Sequence, residues 1–419
     1  MRSPDHTRRI VVTGLGVVSP IGNDAETTWR NLLAGVSGLG PCTRWEGENG
    51  IPDIAGEVKD FDPTLYLDTK TVRRSERSLW MGIGAGKMAI ADSGLVIDDT
   101  NREEVGVIFG SGAGGQTMFH DNLLKMKERG HRVVSPTFIA HGLVDSTSGM
   151  IAIETGAIGH NIAVVSACAT GTHAIGEGAE AIKRGDCVAV IAGSTENPLM
   201  EVAYAGFANM RGLGSPRPGE PLSTISRPFD LTRDGFILGE GAGCLILEDL
   251  EYAKARGAKI YAEVAGYGST ADGFDMAIPI EMGTGSSRAM KMALQRQGVT
   301  PDQIDMINPH GTSTPVGDKR ETEAIRAVFG DHTPDIAISA TKSMTGHMMG
   351  AAGSFEAFAT VMSIKEQICP PTINYRDPDP ECDLRIITEA TPMEIRYALS
   401  NNIGLGGHNG AIIFSRYED

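Results

Sequence analysis

The sequence predicts an α/β protein built from two similar halves, 1–258 and 259–419, forming one compact body. A weak internal echo is the first sign. Asn161-Ile162-Ala163-Val164-Val165-Ser166-Ala167-Cys168 is an apolar strand pattern that runs into a small-residue helix from Thr172 to Arg184. Much later Asp335-Ile336-Ala337-Ile338-Ser339-Ala340-Thr341-Lys342 runs into Gly346-His347-Met348-Met349-Gly350-Ala351-Ala352-Gly353, again strand, turn and Gly/Ala-rich helix. Each half also has a short apolar strand near its end, Cys187 to Ala192 and Ala411 to Phe414. Composition agrees: 53 glycines and only 5% aromatics suit strands and helices that cross closely. Strands alternating with helices imply mostly parallel sheets covered on both faces. The two strand-to-helix turns then lie around one central cleft.

Taken in order, Arg9 to Thr13 is a β-branched strand, and Gly14-Leu15-Gly16 is expected to end it in a turn. Val105 to Phe109 is a second strand, followed by Gly110-Ser111-Gly112-Ala113-Gly114-Gly115. That glycine stretch lacks the GxGxxG spacing and the acidic residue about 20 positions on, so a dinucleotide site is set aside. The more polar segment from Gly115 to Leu143 is expected to pass over the core or over a partner subunit. A further strand, Ile304 to Ile307, precedes Asn308-Pro309-His310-Gly311.

Lys and Arg number 37 against 53 Asp and Glu, a formal charge of −16. A diffuse acidic surface disfavours nucleic acid and anionic membranes as main partners. Six cysteines without CxxC or zinc-finger spacing read as reduced thiols of a cytoplasmic protein. No signal-like apolar core precedes the first strand, and no run of about 18 apolar residues occurs, so a membrane span is not expected.

Three residues stand out as chemistry. Cys168 lies where a strand turns sharply into a helix, the position that exposes a nucleophile at the top of a sheet. The helix N-terminus there is expected to lower its thiol pKa; a buried structural cysteine is the bland alternative. His310 follows a strand's carboxyl end, where α/β folds place their chemistry. His347 lies at the second strand-to-helix turn, and Lys342, five residues earlier, is within reach of the same cleft or else a solvated loop cation. Either histidine alone is more often a satisfied surface or core residue. Two histidines on such turns plus Cys168 form a thiol-and-imidazole constellation. Zinc binding is the rival use of the three, without an acidic residue pattern to support it.

At these residues the chain resembles the β-ketoacyl-acyl-carrier-protein synthases of the type II, elongating class, of the thiolase superfamily. The motifs are Arg9 to Gly16, Ser166-Ala167-Cys168-Ala169-Thr170-Gly171, Arg227-Pro228-Phe229-Asp230 with Arg233-Asp234-Gly235-Phe236, Gly239 to Gly243, His310-Gly311-Thr312-Ser313-Thr314 and Thr341 to His347. They span essentially the whole chain, and so many in order are far more specific than any one. The resemblance implies the thiolase-like fold, two similar halves in a five-layer α/β/α/β/α arrangement, usually dimeric. It also implies decarboxylative condensation: Cys168 takes an acyl chain from a carrier-protein thioester, and malonyl-carrier protein loses CO₂ to give the attacking enolate. His310 and His347 would donate hydrogen bonds to the enolate oxygen, Lys342 would hold the electrostatics of His347, and Glu356 would fix the loop. Backbone N–H groups of Cys168 and Leu405 would form the oxyanion hole, and Thr312 and Thr314 would meet the pantetheine arm. No external cofactor and no metal are implied. The partner would be an acyl carrier protein, docking on the basic cluster Lys70, Arg73 and Arg74 and on Arg211, although a solvated helix face would look the same in sequence. Phe138 and Ile139 would reach into a partner subunit's acyl tunnel, in a homodimer or beside a chain-length-factor-like subunit.

The chain departs from the family in three places. Leu405 stands where a gating Phe is usual, Pro309 replaces an Ala before the first His, and Ala277 or Ile278 replaces a Thr of the 270s loop. These leave open whether the route is fatty-acid elongation or a specialised type II polyketide or polyene pathway, with Leu405 inclining towards the latter. A thiolase would need a second cysteine between Gly404 and Gly410, and an initiating synthase would have Asn where His347 stands; neither condition is met. A non-catalytic chain-length factor would lack Cys168.

Overall fold

A computed structural model describes residues 5, 7–45 and 53–418. Ten strands form the main sheet: β1 (Ile10–Val18), β2 (Val105–Gly110), β3 (Asn161–Ile162), β4 (Ala189–Glu196), β5 (Gly241–Asp249), β6 (Ala262–Ala271), β7 (Met306–Asn308), β8 (Ala337–Ile338), β9 (Tyr397–Gly404) and β10 (His408–Ser415). Their spatial order is β8-β7-β9-β10-β6-β1-β5-β4-β2-β3. The first five strands lie in the order 3-2-4-5-1 from one edge, and adding five to each number gives the other half from its own edge. Pairing directions repeat as well. β2 runs parallel to β3 and β4, while β5 is antiparallel to β4 and β1. β7 runs parallel to β8 and β9, while β10 is antiparallel to β9 and β6.

Each half is therefore mixed, where the strand–helix alternation predicted mostly parallel sheets. In the second half the reason lies in the connection: β9 returns directly into β10 as a hairpin, and hairpins are antiparallel. In the first half β4 and β5 pair antiparallel although residues 197–240 lie between them. The halves also join into one continuous sheet, because Val11 and Val12 of β1 pair with Glu263 and Ala262 of β6.

Six helices complete the layers: α1 (Arg77–Ser93), α2 (Ser146–Thr155), α3 (Thr170–Arg184), α4 (Thr284–Gln297), α5 (Pro315–Phe329) and α6 (Ala352–Glu366). α3 and α6 pack together between the two sheet halves, α1 with α2 covers one outer face, and α4 with α5 covers the other. This gives five layers. The middle helices are almost wholly buried, which explains why they are rich in Gly, Ala, Ser and Thr: small side chains let a helix lie between two sheets.

Gly14 and Gly16 do not end β1; the strand continues to Val18 with a bulge between Val12 and Gly14. Their lack of a side chain serves packing. A methyl at Gly14 would run into the carbonyl oxygen of Ala89, and one at Gly16 into that of Ala85, both on α1. β6 repeats the device, with Gly266 and Gly268 against the Ala293 and Ala289 carbonyls of α4. The segment from Gly115 to Leu143 forms an outer excursion with a helix, Gln116–Arg129, that exposes Phe119, Leu123, Leu124 and Met126. Among the described residues no helix is long and apolar enough to cross a membrane.

Candidate active site

The turn into α3 is built by backbone strain at Ala167, which has φ 51°, a left-handed value that L residues avoid. The ladder part of the preceding strand is only Asn161–Ile162, shorter than the apolar run suggested, because the chain lifts off the sheet to make this turn. A single 3-10 turn, Ala167–Ala169, then feeds α3 directly. Cys168 ends up 4% exposed at the helix start. Backbone N–H groups of Leu405 and of Cys168 itself face its sulfur.

His310 leaves the carboxyl end of β7. Glu321 of α5 holds that turn, accepting the His310 N–H at 2.6 Å and the Gly311 N–H at 2.7 Å. His347 follows the short helix Lys342–Thr345 and is stitched to the segment before β5: its N–H donates to the Ile237 carbonyl at 2.7 Å, and its carbonyl accepts from Gly239 at 2.9 Å. From there Nε2 lies 3.1 Å from Cys168 Sγ. The His310 and His347 rings stand edge to face, centroids 5.3 Å apart. Three residues separated by up to 179 positions meet in one cavity of about 450 Å³, lined mainly by apolar groups such as Phe207, Met210, Phe236, Met276 and Met349.

Burial decides the protonation of all three. It pushes the Cys168 thiol up to about 11, against the opposing pull of Lys342 and of the two N–H groups. The expectation that the helix start lowers this pKa is thus corrected: desolvation outweighs a dipole that acts on a fully buried sulfur. Burial, and then the nearby Lys342 charge, holds both His310 and His347 well below the usual imidazole value. The resting site is a neutral thiol beside two neutral imidazoles.

Lys342 is 2% exposed, not a solvated cation, and pairs with Glu356 of α6. Glu356 binds the Lys342 and Asn402 side chains. Thr312 and Thr314 line the cavity with hydroxyls 3.2 Å apart, and Leu405, Arg211, Ala277 and Ile278 border it. Lys70, Arg73 and Arg74 are exposed on the helix Thr69–Arg74 and form no part of the cavity. Phe138 and Ile139 are also outside it: the Phe138 ring packs tilted against Phe119, and Ile139 is 62% exposed.

Sequence reasoning missed two buried polar residues. Glu196, at the end of β4, accepts from Ser111 Oγ, from the N–H groups of Gly112 and Ala113, and from Gly350 N–H at 3.1 Å. Asn402 of β9 bridges Thr172, Glu356 and His310. The available signal was weak: Glu196 ends the strand segment Ser194-Thr195-Glu196, and Asn402 follows Ser400 and Asn401 inside β9. Among the described residues no group of three His, Cys, Asp or Glu is placed to hold a metal ion.

Comparison with known proteins agrees with this geometry. The family model of the beta-ketoacyl synthase N-terminal domain matches residues 7–253, and that of the C-terminal domain matches residues 261–376. The chain is 44% identical over 412 residues to a 3-oxoacyl-[acyl-carrier-protein] synthase 2 of Staphylococcus aureus strain N315, covering 98% of this chain and 99% of the relative. Among solved structures it is similar to the ishigamide ketosynthase/chain length factor, with TM-score 0.91 and 34% identity. It is also similar to a type II polyketide-synthase complex of an acyl-carrier protein with its ketosynthase bound to the hexaketide, with TM-score 0.90 and 32% identity. Each alignment covers 98% of this chain and 100% of the other. With its thiol and two imidazoles converging in a thiolase-like fold, the chain belongs to the beta-ketoacyl synthase family and is a condensing acyltransferase of the ketosynthase type.

Proposed function

We propose that this ketosynthase joins an acyl group held on Cys168 to a malonyl unit, both delivered as thioesters of an acyl carrier protein. The observation that carries the reading is the 3.1 Å approach of His347 Nε2 to Cys168 Sγ, with His310 beside it in the same cavity. In the first stage Sγ attacks the acyl carbonyl, its proton leaves with the departing carrier thiol, and the N–H groups of Cys168 and Leu405 hold the oxyanion. In the second stage malonyl thioester loses CO₂. The enolate oxygen takes hydrogen bonds from His310 and His347, and the enolate carbon attacks the acyl-cysteine, releasing Sγ as a thiolate that takes up a proton from solvent. Donors fixed in a dry site stabilise that charge better than water does. Lys342, held by Glu356, sets the local potential, and Thr312 and Thr314 receive the pantetheine arm. The chemistry calls for no external cofactor or metal, because decarboxylation supplies both driving force and carbanion.

The carrier protein is acidic, so docking relies on local positive charge: Arg211 at the cavity mouth, with Lys70, Arg73 and Arg74 on a separate exposed face. A second subunit belongs on the β3 edge. That strand ends the sheet, and Ile158, Ile162 and Val165 beside it are exposed, an edge that isolated chains rarely leave open. The exposed Ile139, beside half-buried Phe138 at the start of the helix Phe138–Gly142, is then free to reach a neighbouring subunit's tunnel. The 44% identity to a 3-oxoacyl-[acyl-carrier-protein] synthase 2 favours fatty-acyl substrates and a homodimer. Leu405, smaller than the gate usual in the family, favours a second reading, a polyketide or polyene ketosynthase paired with a chain-length-factor-like subunit.

Intact-protein mass spectrometry after incubation with a panel of acyl-carrier proteins tests both. An acyl adduct confined to Cys168 is expected, and its absence with every donor rejects the condensing role. Efficient extension of saturated chains by the chain alone, copurifying only with itself, rejects the second reading.

A further inference from the structure

The inference concerns Asn402 and rests on the proposed function of the cavity. Asn402 lies on β9 and is fully buried. Its amide orientation is fixed by unlike neighbours. Oδ1 accepts the Thr172 hydroxyl at 2.5 Å, and Nδ2 donates to Glu356 Oε2 at 2.7 Å. A flipped amide would set Oδ1 against the carboxylate oxygen and leave the carboxylate without this donor. The second hydrogen of Nδ2 points to His310 Nδ1, 3.4 Å away. A nitrogen that faces a donor must accept. A neutral imidazole has one N–H, so its proton is then on Nε2.

We propose that Asn402 is a positioning residue that fixes the tautomer of His310, keeping the Nε2 proton available to the enolate oxygen formed on decarboxylation. The same side chain ties that tautomer to the Lys342–Glu356 pair, since one amide serves Glu356 and His310 at once. Without it, His310 is free to place its proton on Nδ1 and present a lone pair where the enolate needs a donor. Asn402 has no such bearing on acyl transfer, whose oxyanion donors are the Cys168 and Leu405 N–H groups.

The test separates the two stages. Decarboxylation is followed as CO₂ release from malonyl-carrier protein in a Cys168→Gln parent, and acylation as mass gain on Cys168 in the otherwise unaltered chain. Asn402→Leu, similar in shape and without polar atoms, is expected to lower kcat for decarboxylation about tenfold or more, with KM and acylation rate held within about threefold. Asn402→Ser, whose hydroxyl donates one bond, is expected to fall between Leu and the parent. Unchanged decarboxylation in Asn402→Leu overturns the proposal, and so does an equal loss of acylation and decarboxylation, which marks a purely structural role. Should Asn402→Leu not fold, Asn402→Ala is read by the same two ratios. A Cys168→Gln parent that releases no CO₂ at all rejects the proposed function instead.

Discussion

The two halves contain the same elbow and use it differently. In the first, strained Ala167 (φ 51°) precedes Cys168, and α3 begins two residues after the cysteine. In the second, strained Met349 (φ 47°) precedes Gly350, and α6 begins two residues after the glycine. Backbone N–H groups around Cys168 face its sulfur and a cavity. The Gly350 N–H is instead consumed by the Glu196 carboxylate, which also takes Gly112 and Ala113. A methyl at Gly350 would collide with that carboxylate. The repeated backbone thus offers two anion-accepting turns; one is left open for chemistry and the other is closed by a built-in acid. What differs is not the fold but which side chain ends the neighbouring strand, Glu196 in one half against Gly404 in the other.

Substitutions put this contrast to the test. The largest effect is expected at the open elbow: Cys168→Ala should leave no acyl adduct and no condensation product by mass spectrometry, while Cys168→Gln should keep or raise CO₂ release from malonyl-carrier protein. Next come the donors. His310→Ala and His347→Ala should each slow decarboxylation by roughly a hundredfold or more, the cost of one missing oxyanion donor; an unchanged rate removes that histidine from its assigned role. Where the halves agree, so should their variants. Gly16→Ala and Gly268→Ala each drive a methyl into a helix carbonyl, and each should cost about 1–3 kcal/mol in urea denaturation, with similar values for the two.

The smallest effect concerns the closed elbow. Burial pushes the Glu196 carboxyl from its ordinary value of 4.5 up to about 7. The folded chain therefore binds this proton more tightly than the unfolded chain. The stability so gained is complete below the unfolded value and is lost as pH rises through the folded one. Glu196→Gln lacks this titration, so the wild-type urea midpoint should fall relative to the variant's between about pH 5 and about pH 8. A gap that stays constant, or moves the other way, shows that Glu196 is already ionised across the range.

Much of the site was legible in the sequence because its residues lie on turns with strong local signals. Cys168, His310 and His347 each follow an apolar strand and precede a Gly- or hydroxyl-rich turn, and motif order did the rest. Properties set by partners distant in the chain were not legible. Gly14 and Gly16 looked like a turn because their reason, the carbonyls of α1, lies some 70 residues away in the chain. The helix start argued for an acidic thiol, but complete burial of Cys168 is a tertiary fact, and it reverses the sign. Glu196 and Asn402 carried no local signal, because Gly350 and His310, which face them, lie 154 and 92 positions away in the chain.

The position of β1 has a consequence for how this chain is made. It comes first of the ten strands in chain order, yet it lies sixth from the β8 edge and fifth from the β3 edge, with β5 and β6 as its neighbours. Ile10 finds its partner only at Asp249, so the first half cannot close while the ribosome is still adding residues short of β5. Until then β1 has two open edges, the condition in which nascent strands pair with the wrong chain. Such long-range pairing makes folding slow. A fragment stopping before Gly241 should therefore aggregate, while one extended past Asp249 gains the strand that seals one of those edges.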